Sequence, residues 1–135
     1  MTEIQELEVD GTSIALRLYR PVKDASNGAA VILIPGLSAT MDSGLTPFAE
    51  TFAATGLLAV TFDYRHFGLS GGHPRQFVSI SRQLQDIDAV IGYTRQHADI
   101  DADRIGLWAS SFGGGLGVHT AVSDNRIKAL VAQCP

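Results

Sequence analysis

The chain has one cysteine, Cys134, in 135 residues, which excludes an internal disulfide and any cysteine-based zinc site. Cations are few: ten Lys and Arg stand against fourteen Asp and Glu, for a net charge of −4 with His neutral. No Lys/Arg run departs from that average, so neither a nucleic acid nor an anionic membrane is expected as a partner. The apolar runs, such as 29–33 and 56–60, are far shorter than the ~20 residues of a membrane span. Glycine is plentiful, yet the stretch 113–117 contains no Gly-x-Gly-x-x-Gly frame, and no glycine precedes Lys-Ser or Lys-Thr. Phosphate-loop chemistry is therefore excluded, and no cofactor or metal is expected. Residues 1–8 are acidic and alternating, unlike a signal or transit peptide, and a cytoplasmic setting is the expectation.

What is present is an ordinary buried α/β composition, 45% hydrophobic and 18% charged. Ile4, Leu7 and Val9, then Ile14, Leu16 and Leu18, flank Asp10-Gly11 and predict an antiparallel hairpin. The continuous apolar runs 29–34 and 57–62 predict strands buried on both faces. Between them, Thr46 as cap, Pro47 in the first turn, and Phe48 and Phe52 four residues apart predict a helix closed by Gly56. Ile80, Leu84, Ile87 and Ile91 mark one face of a second helix. A strand from Ile105, a helix to about Val122 and a strand over 127–132 follow. This alternation predicts a mostly parallel sheet with helices on both faces, and its ligand sites belong beyond the carboxyl ends of the strands.

Residues 104–117 run from an apolar strand into a serine-centred turn and then a helix. Ala109-Ser110-Ser111-Phe112-Gly113 is a small-x-Ser-x-small frame, the pattern of a nucleophile elbow, in which large neighbours two residues either side of the serine cannot fit. Centring the frame on Ser110 instead would place Trp108 at a flank that must be small. Ser111 also satisfies the ordinary preference for a helix cap.

Together with Asp63-Tyr64-Arg65-His66-Phe67-Gly68-Leu69-Ser70, which looks like the Asp-x-Arg-Gly-x-Gly-x-Ser loop after a hydrolase strand, the chain resembles the α/β-hydrolase superfamily. It is similar to the branch of dienelactone-hydrolase-like and X-prolyl dipeptidyl-peptidase-like enzymes, near fungal polyketide transferases and thiohydrolases. That resemblance implies an incomplete α/β-hydrolase fold with strand order 1-2-4-3-5-6, residues 1–135 being the N-terminal portion of one domain cut after its sixth strand. It implies Ser111 as nucleophile toward an ester, thioester or amide, with an oxyanion held by the N–H groups of Leu37 and Phe112. Ser38 is a substitute for Leu37. An acyltransferase of the same fold and a non-catalytic remnant are the alternatives.

The remaining chemistry-bearing residues are assigned elsewhere. His119 lies eight residues past Ser111 along one helix, about 12 Å of rise, and His97 and Asp124 fall at the opposite edge. His66 and His73 share the loop at the active edge, His66 being expected at the surface. Asp99, Asp101 and Asp103 do not complete a calcium loop, because Arg104 stands where glycine is required. Cys134 reads as a buried thiol. The triad acid and histidine are expected beyond residue 135, the chain alone is expected to lack triad-level activity, and its last strand is expected to expose an apolar edge open to self-association.

Overall fold

A computed structural model describes residues 2–135. The strands are β1 (Thr2–Val9), β2 (Thr12–Tyr19), β3 (Ala30–Ile34), β4 (Leu58–Phe62), β5 (Ile105–Ser110) and β6 (Ile127–Gln133), with helices α1 (Thr46–Ala54), α2 (Ile80–Arg95) and α3 (Phe112–Ser123). They form a six-stranded sheet in the order β1-β2-β4-β3-β5-β6. The first two strands pair as an antiparallel hairpin with Leu7 opposite Ile14, and β2 joins β4 antiparallel. From β4 through β6 every pairing is parallel. The expected order and class are therefore what the chain adopts.

The two faces of the sheet separate by strand periodicity. Ala30, Ile32 and Ile34 point one way with Leu58, Val60, Phe62 and Leu107, and there they meet Ile87, Val90 and Ile91 of α2 and Leu116 of α3. Val31, Leu33, Ala59 and Trp108 point the other way, toward Leu45, Ala49 and Phe52. α2 begins at Ser79, whose hydroxyl accepts the Arg82 N–H.

Several local expectations shift. Ile4 is 49% exposed while Leu7 and Val9 pack against the core. An even-numbered residue cannot share a strand face with two odd-numbered ones. Thr46 does not cap α1. Leu45 holds the cap position, and the Thr46 hydroxyl instead meets the Tyr19 hydroxyl at 3.2 Å. Ile80 is exposed, because it opens α2 beyond the reach of the sheet.

The segment leaving β4 and α2 share a buried ion pair. Arg65 and Asp86 are 5% and 0% exposed, and the Arg65 Nε donates to the Asp86 carboxylate at 2.5 Å while the Arg65 backbone N–H donates to its other oxygen at 2.9 Å. Arg65 also donates to the Arg82 carbonyl and to Gln85. The pair thus pins the loop after β4 to the start of α2. Without Asp86 the buried Arg65 keeps, among the described residues, only the exposed Asp10 carboxylate as counter-charge, at 3.6 Å, so Asp86→Ala is expected to cost about 3–5 kcal/mol, measured by urea unfolding against the unaltered chain.

The two sheet edges differ. β1 carries Glu3, Glu6 and Glu8, charges that oppose strand addition. β6 pairs with β5 alone among the described residues; it carries Lys128 as its one charge and leaves Val131 52% exposed. We propose that the 135-residue chain self-associates through this edge at micromolar concentration, which sedimentation velocity tests; a monomer across that range refutes it.

Candidate active site

The turn between β5 and α3 holds the backbone in a strained conformation. Ser111 sits there at φ 54° and ψ −130°, a left-handed conformation that a side chain with Cβ adopts only under compensation from its surroundings. Its N–H donates to the Gln133 carbonyl at 2.8 Å and its carbonyl accepts the Gly114 N–H at 2.8 Å, so both sides of the strained residue are fastened. The hydroxyl makes no capping bond to the helix that follows, and the residue is exposed. That departs from the helix-cap alternative. Ser110 belongs to β5 instead and has no such strain.

Space for the turn comes from its small neighbours. A Cβ at residue 113 would collide with the Pro35 carbonyl oxygen and lie 2.9 Å from that of Ile34, so only glycine lets α3 start this close to the end of β3. On the other side, a Cβ at residue 117 would lie 3.0 Å from the Cβ of Ala109. Gly113 and Gly117 therefore serve helix-to-strand approach, as expected, whereas Gly115 faces open space.

The structure brings the loop after β3 to the same place. A Cβ at residue 36 would lie 3.4 Å from the Ser111 Cβ and 3.9 Å from its Oγ. Leu37 is next in the chain, 57% exposed in the turn closed by the Ala39 N–H on the Gly36 carbonyl at 3.2 Å. Ser38 follows at φ 55°. Phe112 opens α3, where an N–H has no carbonyl of its own helix to bond and the helix dipole favours negative charge. Two of the features expected at the carboxyl edge, the Pro35-Gly36 loop and Ser111, are thus in contact.

The loop after β4 completes that edge. Asp63 is 1% exposed, and its carboxylate accepts the Met41 N–H at 2.7 Å and the Leu69 N–H at 2.8 Å. Burial raises its pKa above the ordinary value, with the two N–H groups acting against that rise. The Tyr64 hydroxyl, buried, donates to the Pro35 carbonyl at 3.2 Å. Desolvation and the nearby Asp86 charge push the phenol well above its usual range, so it is a neutral donor. The motif over 63–70 marked this loop, but nothing in its spacing pointed to the partner of Tyr64.

His66 and His97 are engaged by partners other than Ser111. His66 is 4% exposed rather than at the surface, at φ 77°. Its Nδ1 meets the Pro74 carbonyl and its Nε2 meets Arg82, each at 2.9 Å. A carbonyl accepts and a guanidinium donates, so the proton sits on Nδ1 and both nitrogens are occupied. The His97 Nε2 accepts from Arg20 at 3.2 Å. Asp124 closes the end of α3 and pairs with Arg95. Asp99, Asp101 and Asp103 are exposed, and Asp103 pairs with Arg126. No cluster of metal-ligating side chains occurs among the described residues. Cys134 is exposed, contrary to expectation.

A mixed sheet in this order, parallel from β4 through β6, with a strained serine turn running into a helix, has the architecture of an α/β hydrolase fold. Residues 25–135 match the α/β-hydrolase family described as serine aminopeptidase, S33, and the chain belongs to it. It is 44% identical over 118 residues to the quorum-quenching protein AidA of Acinetobacter baumannii (strain MDR-ZJ06), covering 87% of this chain and 38% of that one. To the thiohydrolase aneE of Aspergillus aculeatus it is 33% identical over 134 residues, covering 99% and 41%. The solved structure of DcsB in complex with its substrate analogue superimposes with a TM-score of 0.88 at 30% identity, over 96% of this chain and 43% of that one. Proteins named as polyketide transferases and as an acyltransferase are also among the relatives. The chain spans less than half the length of these relatives. No helix among the described residues is long and apolar enough to cross a membrane.

The elbow packing is open to a paired test. Gly113→Ala is expected to destabilise the chain by about 1–3 kcal/mol through overpacking against Pro35. Gly115→Ala, where a Cβ meets nothing within 4 Å, is expected to stabilise α3 by about 0.5–1 kcal/mol. Urea unfolding of the two variants reads both signs.

Proposed function

We propose that Ser111 is the nucleophile of an acyl-transfer reaction on an ester, thioester or amide. The observation that carries this reading is the strained Ser111 backbone with a hydroxyl that is exposed and not spent on capping α3. Backbone strain held at an exposed serine, fastened on both sides, is a cost that helix capping alone does not require.

In the proposed reaction the Ser111 Oγ bonds to the substrate carbonyl carbon as its proton passes to a base, and the carbonyl π electrons move onto oxygen. That oxygen accepts from the Leu37 and Phe112 N–H groups, which are worth most where the charge develops. Collapse of the intermediate expels the alcohol, thiol or amine, which takes the proton, and leaves an acyl-serine. Water then releases the acid and restores Ser111. An alcohol or amine in place of water gives transfer instead, the second reading that the polyketide-transferase relatives favour. His66 has no free nitrogen for the base, so the acid–histidine pair is proposed to come from outside these 135 residues. Small acyl compounds are the proposed ligands, with neither nucleic acid nor membrane as partner.

A fluorophosphonate probe tests the assignment in the full-length protein. A single adduct mapped to Ser111 by peptide mass, absent in Ser111→Ala, is expected. An adduct on Ser110, or none in folded protein, refutes it.

A further inference from the structure

Asp63 and Tyr64 stand side by side where the chain leaves β4, and they hold opposite ends of the loop after β3. The Tyr64 hydroxyl donates to the Pro35 carbonyl, and the Asp63 carboxylate accepts the Met41 N–H. Between those anchors lies the Gly36–Leu37 peptide, whose carbonyl is tied to the Ala39 N–H and whose Cα at residue 36 lies against Ser111.

The Pro35 oxygen is enclosed. Tyr64 is 1% exposed on one side of it, and on the other α3 comes so near that a Cβ at residue 113 would strike the same oxygen. A buried carbonyl that loses its donor must turn toward another. Planarity makes the Pro35 carbonyl turn together with the Gly36 N–H; the Gly36–Leu37 unit hangs from the same Gly36 Cα, so a turn of the first unit that shifts this Cα carries the Leu37 N–H with it.

We infer that Tyr64 is a positioning residue for acyl transfer at Ser111: its hydroxyl holds the Pro35 carbonyl and thereby aims the Leu37 N–H at the oxyanion. This inference rests on the reading of Ser111 as nucleophile. Tyr64 touches no reacting atom and acts through the loop. The ring fills the core with Phe62 edge-on at 5.1 Å, so Tyr64→Phe keeps the packing and deletes only the hydroxyl.

The test measures phosphonylation of Ser111 by a fluorophosphonate in the full-length protein. The serine displaces fluoride, and the phosphoryl oxygen occupies the oxyanion position. In Tyr64→Phe the maximal rate of adduct formation is expected to fall about tenfold or more with the half-saturating probe concentration unchanged, since misdirecting a donor costs less than the 10²–10³ of deleting one. The melting temperature should move little. Leu37→Pro, which carries no N–H, should show no further loss when Tyr64→Phe is added, because both changes act on one donor. Should Leu37→Pro not fold, amide exchange at Leu37, expected faster in Tyr64→Phe, takes its place. No Ser111 adduct in the unaltered protein overturns the nucleophile reading and this inference with it. An adduct that forms equally fast in Tyr64→Phe, or losses that simply add with Leu37→Pro, overturn the inference alone.

Discussion

The buried carboxylate of Asp63 ties together the loop after β3 and the loop after β4. Its two oxygens accept N–H groups from Met41 in the loop after β3 and from Leu69 in its own loop. The residue's N–H donates to the Ala15 carbonyl of β2, and its carbonyl accepts the Ser70 hydroxyl, which in turn accepts the Ala15 N–H. A charge at this depth is tolerated only with such partners. A Cβ at residue 68 would strike the carboxylate itself, and Gly68 is therefore required for the loop to close over it. Without this knot, the loops after β3 and β4 would be joined by the Tyr64–Pro35 hydrogen bond with the Met41 end left untied.

From that knot the arrangement propagates to the elbow. Tyr64 follows Asp63 in the chain and reaches Pro35, Pro35 abuts the first turn of α3, and Gly36 abuts Ser111. Each contact crosses between neighbouring parallel strands at their carboxyl ends. This is why the proposed chemistry and the buried charges lie so close together: both need backbone groups that have left the sheet ladder but remain screened from water.

The features legible in the chain were those with short-range causes. Strand runs such as 30–34 and 58–62, the hairpin at Asp10-Gly11 and the small-x-Ser-x-small frame depend on residues near one another in sequence, and the structure carries all of them. Where sequence reasoning failed, a distant partner had decided the matter. Thr46 resembles a cap, yet Tyr19 takes its hydroxyl. His66 looks like a loop histidine, but Pro74 and Arg82 enclose it.

By itself, the sequence determined the periodicity of each element, the alternation that makes a parallel sheet, and the local chemistry of the turn at Ser111, since these follow from side-chain spacing and backbone preference over a few residues. Pattern alone did not contain the strand order, which resemblance to a family supplied. The pairing of Tyr64 with Pro35, of Asp63 with Met41 and of Arg65 with Asp86 was decided only in the tertiary structure. Those partners lie 29, 22 and 21 residues apart, and no local periodicity relates them. The first two meet because β3 pairs with β4, which folds their loops onto one edge, and the third because α2 packs on the sheet beside β4; there burial makes each polar group find the donor or acceptor at hand.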